Sequence, residues 1–170
     1  MARYAVFIDG GYLAKLLKGV GEPRIDFAGL AEGFRANDEL LRTYYYHCAP
    51  YQSTPPTKDE QERKGRFDRF VAALEWVPRF QVRLGRLVRR TEADGTLRFE
   101  QKMVDVLLTV DLVRLSSERQ IRRAVIIAGD SDFVPAIEAA KDAGVIVQLC
   151  HGGDPRPHDQ LLRVCDDRLV

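Results

Sequence analysis

The chain has 170 residues, 45% hydrophobic and 30% charged, with 26 Lys+Arg against 25 Asp+Glu and a formal net charge of +1. That length buries roughly two-thirds of the unfolded surface, which excludes a disulfide-stapled miniprotein, and the balanced charge excludes capture of nucleic acid or membrane by global electrostatics. Cys48, Cys150 and Cys165 are odd in number and form no CxxC, so they read as small buried thiols in a reducing cytoplasm and not as a disulfide framework or zinc knuckle.

Tyr4-Ala5-Val6-Phe7-Ile8 is a continuous apolar run stopped by Asp9-Gly10-Gly11, the pattern of a strand buried on both faces. It is too short for a signal peptide, and no run approaches the roughly 18 apolar residues of a membrane span, so no membrane association is expected. Helices are predicted over Gly11 to Lys18 and Phe27 to Arg35, then a strand over Leu41 to His47. Tyr44, Tyr45 and Tyr46 in that strand read as core packing before base stacking. Pro50 to Pro56 is a loop and Asp59 to Trp76 a helix. Phe80 to Arg90 and Thr96 to Gln101 alternate apolar and polar residues around Asp94-Gly95, which predicts a β-hairpin at the sheet's margin. Met103 to Ser116 carries Val104, Leu107, Leu108, Leu112 and Leu115 at helical spacing. A strand over Arg123 to Ala128, a helix over Asp132 to Ala143, a strand over Val145 to Cys150 and a helix over His158 to Arg168 complete the chain. This alternation predicts one α/β domain over residues 1–170 with a mostly parallel central sheet.

In open α/β sheets, ligands bind beyond the carboxyl ends of the strands, where the winding reverses. Asp9 follows the first strand, Asp130 follows the Val125–Ala128 strand through Gly129, and Asp132 comes two residues later. Asp105 lies in the first turn of the helix leading into that strand. Each has an ordinary use near a helix start or turn, but four together at one sheet edge point to a site. Mutual repulsion in such a cluster calls for a hard divalent cation, Mg²⁺ or Mn²⁺, suited to phosphoryl chemistry. No His/Cys set supports zinc.

Three blocks carry a resemblance: Phe7-Ile8-Asp9-Gly10-Gly11-Tyr12-Leu13, Gln101-Lys102-Met103-Val104-Asp105-Val106 continuing to Asp111, and Ala128-Gly129-Asp130-Ser131-Asp132-Phe133-Val134-Pro135. In order and spacing they resemble the signature blocks of NYN domains, the branch of PIN-like nucleases that includes the LabA-like proteins. Leu84 to Leu87 and Leu161 to Asp166 resemble the family's strand before the second block and its closing helix. The resemblance implies a Rossmann-like, PIN-like three-layer sandwich and an acidic pocket that binds Mg²⁺ or Mn²⁺ and hydrolyses RNA. Carried over residue by residue, Asp9, Asp105, Asp130 and Asp132 are the catalytic and metal-binding candidates; Asp111 matches a recurring acidic position whose role is open. Two departures are visible: Gly11-Tyr12 where many relatives carry Asn, and Arg168 where the closing helix often has an aromatic.

Between Glu62 and Arg90 nine basic residues face three acidic ones, a net +6. Arg83, Arg86, Arg89 and Arg90 are therefore candidate phosphate contacts on an electropositive hairpin, with Ser131 a further substrate contact; a solvated basic face explains the same arginines. His151 and His158 read as surface histidines near the pocket rim. The expected function is a metal-dependent ribonuclease on single-stranded RNA, with a homodimer as an allowed assembly. The alternatives are a catalytically weak RNA- or protein-binding regulatory module and a metal-dependent small-nucleotide phosphohydrolase.

Overall fold

The computed structural model describes residues 1–170. The first apolar run forms β1 (Arg3–Asp9), followed by α1 (Gly10–Gly19), α2 (Phe27–Gly33) and β2 (Glu39–Cys48). Then come α3 (Lys58–Leu74), β3 (Phe80–Thr91), β4 (Leu97–Lys102) and α4 (Val104–Ser117). The chain closes with β5 (Arg123–Ile127), a 3-10 turn (Ser131–Phe133), α5 (Val134–Asp142), β6 (Ile146–Cys150), α6 (Asp159–Val164) and β7 (Asp167–Leu169). The strands make one sheet in the order β4-β3-β2-β1-β5-β6-β7, parallel throughout except for the antiparallel β3–β4 pair.

β1 lies at the centre, and every residue from Tyr4 to Ile8 is fully buried. Alternate side chains serve two cores, as a pleated strand requires. Ala5 and Phe7 join Leu108, Leu112, Ala136 and Ile137 of α4 and α5. Tyr4, Val6 and Ile8 join Leu13, Phe27, Ala31 and Leu74 of α1, α2 and α3. The result is the expected three-layer sandwich. The large apolar side chains of β1 each contribute about 1.5–3 kcal/mol by leaving water.

The chain lays β2, β3 and β4 to one side of β1, then crosses through α4 to lay β5, β6 and β7 on the other. The winding therefore reverses between the carboxyl ends of β1 and β5. Gly10 is required there: a Cβ would fall 2.7 Å from the Tyr45 ring and 2.8 Å from the Tyr46 carbonyl oxygen.

Three features depart from the expected elements. β3 is an interior strand over its first half, paired with β2 from Phe80 to Gly85, and only Arg86–Thr91 form the marginal hairpin with β4. The helix expected to begin at Asp132 starts with the 3-10 turn and becomes α-helical at Val134, next to Pro135. The closing helix ends at Val164, and Arg168 lies in β7, an exposed three-residue strand parallel to β6 with no hydrophobic alternation to announce it.

Candidate active site

At the reversal point a cleft of about 450 Å³ opens between α1, the N-terminus of α4, the 129–131 turn and the 155–158 segment. Asp9 lines it from the end of β1, Gly11, Tyr12 and Lys15 from α1, Gln101 and Asp105 from the β4–α4 junction, Gly129, Asp130 and Ser131 from the turn after β5, and Pro155, Arg156 and His158 from the segment after β6.

Each carboxylate is placed by local backbone chemistry. Asp9 caps α1, its Oδ1 accepting from the N–H groups of Gly11 at 2.9 Å and Tyr12 at 3.2 Å. Asp130 caps the 3-10 turn by accepting from the Asp132 N–H at 3.0 Å. Asp132 therefore does not serve as that cap. Asp105 lies in the first turn of α4, whose N-cap is Met103 in the left-handed region at φ 75°. Asp105, Asp130 and Asp132 each present a carboxylate oxygen within 4.8 Å of the others. Asp9 is outside that trio but lines the same cleft.

The charges feel one another. Burial raises the Asp105 carboxyl above its ordinary value, and Asp9, Asp130 and Asp132 push it further the same way. Burial also raises Asp9, aided by Asp130 and opposed by the Tyr12 and Gly11 N–H groups and by Lys15. A carboxyl raised on folding adds no destabilisation below its ordinary value of 3.8, costs stability progressively as pH climbs from there to the raised value, and holds that cost above it. Asp105→Asn is accordingly expected to raise the Tm by about 1–3 °C at pH 7 in EDTA, with the gain shrinking toward pH 4. Scanning calorimetry at the two pH values checks this; an unchanged or lower Tm at pH 7 would count against repulsion in the cluster.

Tyr12 ties the walls together. Its ring lies where a Cβ on Gly129 would come within 2.5 Å, and its hydroxyl donates to the Pro155 carbonyl at 3.1 Å and accepts from the Gly152 N–H at 3.4 Å. The residue that departs from the usual Asn thus braces the turn carrying Asp130 against the segment carrying Arg156 and His158.

The hairpin arginines do not converge on the cleft. Strand alternation sends Arg83 and Arg89 to the α4 side and Arg86 and Arg90 to the other. Arg83 is held by the buried Asp111 carboxylate through Nε at 3.1 Å and Nη2 at 3.3 Å, and the Tyr46 hydroxyl donates to the same carboxylate at 2.9 Å. Arg89 stacks over Tyr51, Arg90 pairs with Glu100 at 3.0 Å, and Arg86 alone has no such partner. Ser131 does line the cleft. Tyr44, Tyr45 and Tyr46 are buried, as core packing requires.

Lys15, Gln101, Arg156 and His158 were not singled out as substrate contacts by sequence. Lys15 had a signal: it lies four residues after Gly11 on the same helical face. His158 reaches the cleft because its backbone N–H bonds the Gly129 carbonyl at 3.2 Å, a long-range contact that spacing does not encode.

The family profile described as NYN domain matches residues 3–170. The chain belongs to the NYN domain family. NYN domains are PIN-like nucleases as a family, and the acidic trio lies where such a fold concentrates its chemistry. Among solved structures this NYN domain is similar to VPA0982 of Vibrio parahaemolyticus, described as a protein of unknown function, at 17% identity and a TM-score of 0.69 over 99% of this chain and 91% of that one. This likeness shows a shared fold. A likeness to MurG of Acinetobacter baumannii, at 12% identity and a TM-score of 0.41 over 98% of this chain and 40% of that one, is too distant to bear on either fold or function. A search of the curated proteins found no match. No helix of this NYN domain is long and apolar enough to cross a membrane.

Proposed function

We propose that this NYN domain is a Mg²⁺- or Mn²⁺-dependent ribonuclease acting on single-stranded RNA. The observation that carries the reading is the meeting of Asp105, Asp130 and Asp132 within 4.8 Å across the reversal point. None of the three takes part in an ion pair with a protein side chain. An all-carboxylate donor set suits a hard cation that keeps several waters. When bound, such an ion supplies Lewis acidity at a phosphoryl oxygen and lowers the pKa of a coordinated water.

The chain's own groups do the rest. Asp105, Asp130 and Asp132 would hold the ion, and Asp9, fixed by its two backbone donors, adds negative charge at the cleft floor. Lys15, and Arg156 held by Asp159 at 3.0 Å, place positive charge on the rim, with the His158 imidazole and the Ser131 hydroxyl as further polar contacts suited to phosphate. Gly11 keeps a side chain from the space between Asp9 and Gln101, so a phosphate group can approach the carboxylates closely.

The test is cleavage of a labelled single-stranded RNA in Mn²⁺, in Mg²⁺ and in EDTA, beside a mononucleotide substrate. Oligonucleotide products in the metals and none in EDTA are expected. Turnover of the mononucleotide alone would shift the activity to small nucleotides, an alternative favoured by the dispersal of the hairpin arginines over two faces. Mn²⁺ binding with no turnover of either would make the domain a binding module.

A further inference from the structure

The outer half of the β3–β4 ribbon lacks what usually sustains a hairpin. β2 ends at Cys48, opposite Gly85, so Arg86–Thr91 pair with Leu97–Lys102 alone. β4 is the sheet edge, and Leu97 and Phe99 on it are 53% and 49% exposed. A two-stranded ribbon is marginal in water, and a third strand is what makes it robust.

Backbone parity identifies the free groups of β4. The Glu92 N–H donates to the Thr96 carbonyl, and the Lys102 carbonyl lies against Gly85. Even-numbered residues therefore aim their N–H and C=O at β3, and Leu97, Phe99 and Gln101 aim theirs outward. Three antiparallel two-fold registers match these outward groups near the strand's middle. Centred on Arg98, the pairing sets Arg98 against its own copy. Centred on Glu100, it opposes two Glu100 carboxylates and sets Arg98 against Lys102. Centred on Phe99, it opposes no like charges: Phe99 meets Phe99, Leu97 meets Gln101, and Arg98 meets Glu100 twice. Those Arg98–Glu100 pairs fall at non-hydrogen-bonded positions, where opposed side chains are closest.

The ribbon's own second edge fails the same examination. β3 beyond Gly85 presents residues 87, 89 and 91 outward, and pairing centred on Val88, Arg89 or Arg90 opposes two arginines each time. We propose that β4 joins a second copy of this chain edge to edge, antiparallel, on a two-fold axis through Phe99, so that the two sheets become one.

Sedimentation of the wild-type chain is expected to show a dimer by about 100 µM. Phe99→Cys should form a disulfide-linked dimer on mild oxidation, because hydrogen-bonded antiparallel partners lie about 5.5 Å apart at Cα, within disulfide reach. Leu97→Cys should not, since the same register separates the two copies of that position by about 14 Å. Arg98→Glu gives up the 3.8 Å Arg98–Glu92 pair but sets a carboxylate opposite Arg90 within the chain, and circular dichroism of the variant checks that the fold is retained. The substitution should weaken the dimer at least about tenfold by facing Glu100 of the other copy, and adding Glu100→Arg should restore it. A monomer at about 100 µM, a dimer indifferent to Arg98→Glu, or equal cross-linking at positions 97 and 99 would overturn the proposal.

Discussion

Asp130→Asn is expected to lower metal-dependent RNA cleavage by more than about 100-fold with little change in stability. The asymmetry follows from the two jobs of this side chain. As a cap it accepts one hydrogen bond from the Asp132 N–H, and an amide oxygen does that equally well. As a member of the trio with Asp105 and Asp132 it contributes negative charge, which the amide lacks. Cleavage assays paired with Mn²⁺ titration and urea denaturation separate the two. Full activity in the variant would remove the trio from the chemistry, and a large fall in the urea midpoint would show that the charge, not the cap, holds the turn.

The second large effect concerns a carboxylate outside the cleft. Asp111→Ala is expected to destabilise the domain by about 2–4 kcal/mol, below the full cost of breaking a wholly buried pair because Arg83 is one-third exposed and can turn to water. Asp111 lies on the buried face of α4, where it accepts from Tyr46 and Arg83, and Arg114 approaches to 3.5 Å. Truncation strands the Tyr46 hydroxyl in the core, so Tyr46→Phe with Asp111→Leu should recover part of the loss. Urea midpoints of the three variants check this. A cost below about 1 kcal/mol, or loss of Mn²⁺ binding in folded Asp111→Ala, would return Asp111 to the active site.

What the chain disclosed in advance tracks how local the cause is. β1 was legible because its apolar run is short, rich in strand formers and stopped by Asp9-Gly10-Gly11, and the Asp94-Gly95 turn appears in the structure with Gly95 at φ 84°. Asp9, Asp130 and Asp132 were legible because a parallel sheet delivers the carboxyl ends of β1 and β5 to one edge, and Asp105 because it begins the helix that leads into β5. The side chains they face were not. Lys15 and Arg156 meet across 141 residues of chain, brought together by Tyr12 bridging to Pro155, while His158, expected near the rim, is held there by its N–H on Gly129. The arginines misled for a related reason. A local count sees a net +6 but not which face each side chain takes, nor that Asp111 of α4 already holds Arg83.

The left-handed Met103 has a mechanical consequence. Asp9 and Asp130 hang from β1 and β5, the two strands at the middle of the sheet, so their side of the cleft is as stiff as the core itself. Asp105 begins only two residues past Met103, at the foot of a ribbon that projects beyond the last interior strand. Yet the Val104 and Leu108 side chains of its helix are buried in the same core as Ala5 and Phe7. Met103 is therefore the joint at which a yielding ribbon meets a fixed jaw, and amide hydrogen exchange in the monomer should be slow at Val6 to Ile8 and at Leu108, and fast in the ribbon from Arg86 to Gln101.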